Sequence, residues 1–311
     1  VKPPQPVVCS MMANEAMSNG EVALSDRAAM PPKVGFLCIG AQKAGTSWLN
    51  EQLLLHPGVC LPPVKEVHFF NYLYSPVDRD WILDHYVRPA RLRISAQLRE
   101  GVWDTDWEQV AYYAGLVEMV RKGCVDERWY EYVFSLCHDP GRLRGDITPA
   151  YLTLGVEAIA HVCRYNPRMR LIALLREPVE RAVSAAKMII KRKKIAQPDD
   201  TIWRSVISGH GIVQKSSYAG QLQNWLTVFP GEQLLVLPYE RIAAEPKALL
   251  DEVCGFLGIA PMQHDATMDE RVHGGRHYDV PVWVREWLES RLSPQRALVE
   301  DMYPLLAKWW H

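Results

Sequence analysis

The stretch that most restricts how this chain can fold is residues 34–48, V-G-F-L-C-I-G-A-Q-K-A-G-T-S-W. Residues 34–39 form a short, uninterrupted and partly β-branched apolar run, the pattern of a buried strand. Gly40 and Gly45 then bracket four residues, and Thr46, Ser47 and Trp48 lead into an apolar helical pattern that ends near His56 and Pro57. A strand, a glycine-bracketed loop and a helix start make up the layout of an anion cradle. Loop N–H groups and the positive end of the helix dipole converge on one point.

The loop departs from that of nucleotide triphosphatases, G-x-x-x-x-G-K-[ST], in which lysine directly follows the second glycine. Here Thr46 takes that place and Lys43 sits inside the loop. A lysine so placed reaches a bridging or leaving oxygen rather than the terminal phosphates. No apolar run ending in Asp, the usual magnesium-holding strand, stands out downstream, so no metal is expected. The loop, Gln42, Lys43, Ala44, Gly45, Thr46, Ser47 and Trp48, resembles the 5′-phosphosulfate loop of sulfotransferases that use 3′-phosphoadenosine 5′-phosphosulfate (PAPS).

Further segments follow in the order of that family. Residues 65–71, K-E-V-H-F-F-N, read on residue types alone as a surface strand with Phe69 or Phe70 tucked into the core. Their place, one helix and one turn after the loop, is where an α/β chain returns to the ligand edge of its sheet. They resemble the family's K-E-x-H-F-F segment, which implies Glu66 as base with His68 as helper or alternative. Residues 145–151, G-D-I-T-P-A-Y, resemble G-E-x-[ST]-P-x-Y with Asp in place of Glu. On their own they read as a turn and a helix start capped by Thr148, with Asp146 a second-rank candidate for orienting the acceptor or Lys43.

Residues 170–176, R-L-I-A-L-L-R, are a continuous apolar run between arginines, the signature of a central parallel strand. Pro178 then suits the first turn of a helix carrying Arg181 and Ser184. An arginine leaving the sheet edge and a serine in the next helix can clamp one phosphate, by a bidentate fork and a hydroxyl. The span resembles the family's 3′-phosphate motif, L-R-[DE]-P-x-x-R-x-x-S. Arg176 and Ser184 are its working residues, and Arg181 reads as a structural ion-pair former. The cations of residues 191–194 close this helix, either as a solvated last turn or as an attractor for an anionic donor. Tyr218 opens a later helix and either touches the nucleotide or packs in the core. In residues 263–277, Arg271, Gly274, Gly275 and Arg276 resemble in part the loop that closes over the 3′-phosphate and adenine, with Arg276 the first choice.

The rest of the chain sets bounds. Residues 1–32, rich in Pro, Ser, Ala, Asn and Met, read as a flexible linker or arm, and residues 33–311 as the domain. Helices are expected over about residues 107–122, 127–137, 246–257, 281–291 and 294–309. Aromatic residues crowd residues 72–137, mostly as core, some as lining of an acceptor cleft. The formal charge of −1 gives no electrostatic case for nucleic-acid binding. Seven scattered cysteines without C-x-x-C spacing read as buried free thiols. With no secretory leader and no run of ~18 apolar residues, they point to a cytoplasmic protein without a membrane span. The chain opens on Val1, which fits a processed product or a domain of a larger biosynthetic enzyme.

The resemblance implies one α/β domain with a mainly parallel sheet flanked by helices, related to the P-loop nucleotide kinases. It implies sulfuryl transfer from PAPS, with 3′-phosphoadenosine 5′-phosphate (PAP) as product, to a hydroxyl or amine of a small-molecule or carbohydrate acceptor. Lys43 would neutralise the departing phosphate, Glu66 would take the acceptor proton, Arg176 and Ser184 would select the donor and Trp48 would stack on adenine. A P-loop small-molecule kinase shares the fold but needs a metal site and a lysine after Gly45. A non-catalytic nucleotide-binding module would dispense with Glu66 and His68. The acceptor's identity and the oligomeric state are not written in the sequence.

Overall fold

A computed structural model describes residues 33–99, 103–209, 211–263 and 278–310. The expected arm over residues 1–32 and the loop residues Arg271, Gly274, Gly275 and Arg276 lie outside them. Five parallel strands form one sheet: β1 (Phe36–Gly40), β2 (Val59–Cys60), β3 (Leu143–Ile147), β4 (Arg170–Leu175) and β5 (Leu234–Pro238), in the order β2-β3-β1-β4-β5. All five residues of β1 are buried because it lies between β3 and β4. Its apolar run therefore faces protein on both sides, as an α/β interior strand must. In register, Phe36 pairs with Gly145, and a Cβ on Gly145 would lie 2.0 Å from the Phe36 ring. That glycine makes room for the ring.

The helices are α1 (Thr46–Leu54), α2 (Phe69–Tyr74), α3 (Arg79–Gln97), α4 (Trp107–Arg121), α5 (Glu127–Tyr132), α6 (Val156–Tyr165) and α7 (Pro178–Arg192), then α8 (Asp200–Ser208), α9 (Tyr218–Leu226), α10 (Arg241–Ala244), α11 (Pro246–Leu257), α12 (Val282–Met302) and α13 (Pro304–Ala307). Most buried side chains belong to a core built on the sheet, and a second cluster joins α7, α8 and α12 through residues such as Ala186, Ile190, Trp203 and Leu288. Local signals hold where the backbone alone decides. Asp199 accepts from the Ile202 N–H and caps α8, and Gly258 closes α11 in the left-handed region at φ 64°. No helix among the described residues is long and apolar enough to cross a membrane.

Four expectations give way to tertiary contacts. Residues 65–71 are not a surface strand: a turn leads into α2, and both Phe69 and Phe70 are fully buried, with Phe69 stacked on Tyr130 at 4.6 Å. Thr148 does not cap with its side chain, because its hydroxyl donates to Asp146 Oδ1 at 2.6 Å, and only a 3-10 turn (Pro149–Thr153) follows. Pro294 does not start a new helix. It lies inside α12, whose buried residues Val284, Leu288, Leu292 and Val299 keep helical spacing on both sides of it. That continuous packed face outweighs the backbone bond a mid-helix proline removes.

The cysteines are the fourth. Cys38, Cys163 and Cys254 are buried free thiols, and burial pushes the Cys38 thiol up to about 12. Cys60 and Cys137, however, form a disulfide across 77 residues, with Cα atoms 6.0 Å apart. Nothing in their sequence spacing shows that the end of β2 lies beside the segment after α5. The reading of buried free thiols fails at this pair and at Cys124, which is free but exposed, so the cysteines no longer support the step to a cytoplasmic protein. Closing so long a loop restricts the unfolded chain, and we predict a stabilisation of about 2–4 kcal/mol. A Cys60→Ser, Cys137→Ser double variant should show it as a lower denaturant midpoint; an unchanged midpoint would mean that the bond is not formed in solution.

Candidate active site

Parallel strands bring their carboxyl ends to one edge, and there the chain turns from β1 into the glycine loop. Lys43 sits in that loop at φ 75° and Gly45 at φ 82°. A Cβ on Gly45 would come within 2.3 Å of Ile242 and 2.9 Å of Tyr239, so only glycine lets the loop rest on the start of α10. No side chain caps the start of α1, which leaves its first N–H groups directed at the loop. Lys43 is half-buried. Burial lowers its pKa, and the charges of Arg176, Arg192, Arg181 and Lys191 push it further down. The last turn of α7 thus adds positive charge near the loop, while residues 191–194 are themselves exposed, as a solvated helix end is.

Arg181 is 1% exposed and makes no ion pair among the described residues. Its guanidinium instead donates to the Gln42 carbonyl at 3.0 Å, the Ile212 carbonyl at 3.2 Å and the Ser216 hydroxyl at 3.1 Å. Burial lowers its pKa. It is the strut that ties the loop to α7 and to the turn before α9. The expectation of an ion-pair former misses this, because backbone carbonyl partners leave no trace in residue types.

At the end of β4, Arg176 stands over the Tyr239 ring at 4.8 Å and 3.4 Å from Glu180. Tyr218 is fully buried and donates its hydroxyl to the Arg176 carbonyl at 3.0 Å. Of its two expected roles the core one holds, and it positions Arg176. Ser184 lies half-buried two turns into α7. Trp48 is 3% exposed within the main core, so its indole presents almost no open face for adenine.

Glu66 and His68 both lie in the left-handed region, at φ 61° and 53°. Their side chains meet at 3.4 Å, His68 Nε2 to Glu66 Oε2, while His68 Nδ1 faces Asn71 Oδ1 at 3.1 Å. Burial alone would raise the Glu66 pKa, but the His68 contact and the charges of His68, Lys65 and His85 outweigh it and hold the carboxyl below its ordinary range. Lys65 connects the two motifs: its ammonium donates to Ser47 Oγ at 2.6 Å and lies 4.0 Å from Glu66 Oε1. Burial lowers its pKa against the opposing pull of Glu66, Cys38 and Glu51. Lys65 belongs to the quoted segment, yet no sequence signal shows that it turns back onto the loop.

Asp146 is fully buried and accepts from the hydroxyls of Thr148, Tyr151 and Tyr130 at 2.6, 2.9 and 3.0 Å. Burial raises its pKa against these donors. Both its oxygens are engaged in that knot, so it orients neither Lys43 nor an acceptor directly. Its link to the site runs through Thr148, whose Oγ1 accepts from the His68 N–H at 3.4 Å.

The profile of the sulfotransferase family matches residues 36–264, about three quarters of the chain. The chain belongs to the sulfotransferase family. It is similar to carbohydrate sulfotransferase 15 of Rattus norvegicus, 25% identical over 256 residues that cover 73% of this chain and 44% of the relative. It is also similar to heparan sulfate glucosamine 3-O-sulfotransferase 5 of Homo sapiens, 26% identical over 255 residues, covering 78% and 58% respectively. The chain spans about half the length of these curated relatives. Among solved structures, a sulfotransferase from Alicyclobacillus acidocaldarius aligns with TM-score 0.61 at 22% identity, over 87% of this chain and 96% of the other. The sulfotransferase domain of the Synechococcus PCC 7002 olefin synthase aligns with TM-score 0.51 at 15% identity, over 91% and 98%. At these identities the likeness is one of fold.

Arg181→Met would remove the three hydrogen bonds of a buried guanidinium, though the Ile212 carbonyl would keep its bond from the Ser216 hydroxyl, a class of change costing about 2–4 kcal/mol. We predict a corresponding fall in denaturant stability; an unchanged denaturant midpoint would remove Arg181 as the strut of the loop.

Proposed function

We propose that this sulfotransferase-family chain moves a sulfuryl group from PAPS to a hydroxyl or amine of a carbohydrate or small-molecule acceptor by in-line displacement. One observation supports the reading above the others. Among the described residues, four non-glycine residues adopt positive φ, and three of them are Lys43, Glu66 and His68. That region is sparsely populated and costs of order 1–3 kcal/mol per residue. Strain of this kind persists where the surrounding fold holds a functional geometry, and here it falls on the residues that the reaction needs.

The chemistry divides among groups in place. Sulfuryl transfer is close kin to phosphoryl transfer, with charge building on the bridging oxygen as the bond to the leaving phosphate breaks. Lys43 and the N–H groups that open α1 meet that charge. Glu66, ionised at neutral pH, accepts the acceptor's proton as the new bond to sulfur forms, and His68 and Lys65 fix its carboxylate from either side. Arg176, held by Tyr218 and Tyr239, with Ser184 on the adjoining helix, grips the 3′-phosphate and so distinguishes PAPS from ATP. The carbohydrate class of acceptor is brought in from the names of the curated relatives.

Titration calorimetry with PAP against ATP plus magnesium tests the proposal: PAP should bind more tightly, and a preference for ATP would overturn it. Lys43→Ala is predicted to lower turnover about 100-fold or more while weakening PAP binding far less, since its main work is on charge that appears in the transition state. Glu66→Gln should abolish transfer and leave PAP affinity near normal. The pH profile carries a sign. A base whose pKa lies below the ordinary carboxylate value of 4.5 stays ionised as pH falls toward that value. The acid limb of kcat/KM should therefore lie below pH 4.5, and Lys65→Met, which removes a cation near Glu66, should move it upward. A wild-type limb near pH 6 or above would assign the proton to another group.

A further inference from the structure

Next to the Glu66–His68 pair stands an aromatic side chain that none of these roles uses. Trp81, in the first turn of α3, packs edge to face with His68, ring centroids 4.8 Å apart and planes at 82°. It is 45% exposed, while the His68 side chain is 5% exposed. The indole therefore covers the imidazole on one side and opens to solvent on the other. It is also fixed in place: Nε1–H donates to Asp78 Oδ1 at 2.7 Å, and Ser75 Oγ donates to Asp78 Oδ2 at 2.5 Å. A rigid, half-open tryptophan beside a candidate base is an unusual use of apolar surface. Other tryptophans are exposed, Trp103 at 95% among them, but among the described tryptophans Trp81 is the one in ring contact with His68, which His85 also meets edge to face at 5.5 Å.

The surroundings are polar. Asp78 lies on one flank, and the charge of Lys215 acts on it electrostatically. Lys215 comes from the turn that Arg181 braces through Ser216, and Arg181 in turn holds the Gln42 carbonyl of the loop. A flat apolar face rimmed by a carboxylate and an ammonium suits a ring with C–H groups on one face and hydroxyls around its edge.

We infer that Trp81 is the acceptor platform: a pyranose ring stacks its C–H face on the exposed indole and thereby brings one hydroxyl to Glu66. The inference rests on the sulfotransferase reading and adds a residue that selects the acceptor. The test follows the indole N–H resonance of Trp81 in 15N-tryptophan-labelled protein, assigned by its loss in Trp81→Phe. PAP is added first, then heparan sulfate oligosaccharides as the probe. The resonance should shift on saccharide addition. Trp81→Ala should weaken saccharide binding about tenfold, Trp81→Phe should weaken it less, and both should keep the PAP affinity of the parent, which also reports that they fold. Saccharide binding that leaves the Trp81 resonance unmoved, or an unchanged affinity in Trp81→Ala, would overturn the inference. So would a protein that binds PAP but none of the saccharides. Failure to bind PAP at all would instead overturn the sulfotransferase reading beneath it.

Discussion

Parallel pairing of β1 on both sides, to β3 and to β4, is the constraint from which the site follows. Strands that run in one direction release their chains at one edge, and β1 releases the glycine loop between the exits of its two neighbours. The β3 exit supplies Asp146 and Thr148, the β4 exit Arg176, and the β5 exit Tyr239, on which Gly45 rests. The short β2 at the outer edge leads into the turn that carries Lys65, Glu66 and His68. If β1 were an edge strand, the cations and the carboxylate would have no common edge on which to meet.

Two kinds of support hold that edge, and they differ physically. The loop side gathers cations: Lys43 feels Arg176, Arg181, Arg192 and Lys191 together, while Arg176 is itself offset by Glu180. Like charges held this close lower the pKa of Lys43. The turn after β2 is the reverse, a compact network in which Lys65, Glu66, His68 and Asn71 satisfy one another. A knot of three hydroxyls on Asp146 steadies it from beneath through Thr148. Lys65 joins the halves, because its one ammonium touches the loop serine and lies near the carboxylate.

Much of this was legible in residue order. The buried runs of β1, β4 and β5, the capped start of α8 and the glycine stop of α11 follow from short-range rules, in which each residue answers to neighbours within one turn or one strand. Harder to read were places where a partner lies far along the chain. Thr148 looks like a cap and serves Asp146; Pro294 looks like a boundary and is carried through by a packed face; Trp48 looks like a stacking ring and is core. Residues 65–71 mix charged residues and a histidine with two adjacent aromatics, which on residue types suits a surface strand, yet Phe69 and Phe70 both find buried aromatic partners and pull the segment into a helix start.

The amino-acid order by itself determined the class of fold, the anion loop with its internal lysine and the identity of the acidic and basic residues around it, since these rest on local spacing and side-chain chemistry. Only the tertiary structure decided that Arg181 braces the loop, that Lys65 links Ser47 of the loop to Glu66, that Cys60 meets Cys137 and that Trp81 packs on His68. Each of those contacts joins segments brought together by packing, and the energy of a contact depends on distance in space, which a linear order of residues does not contain.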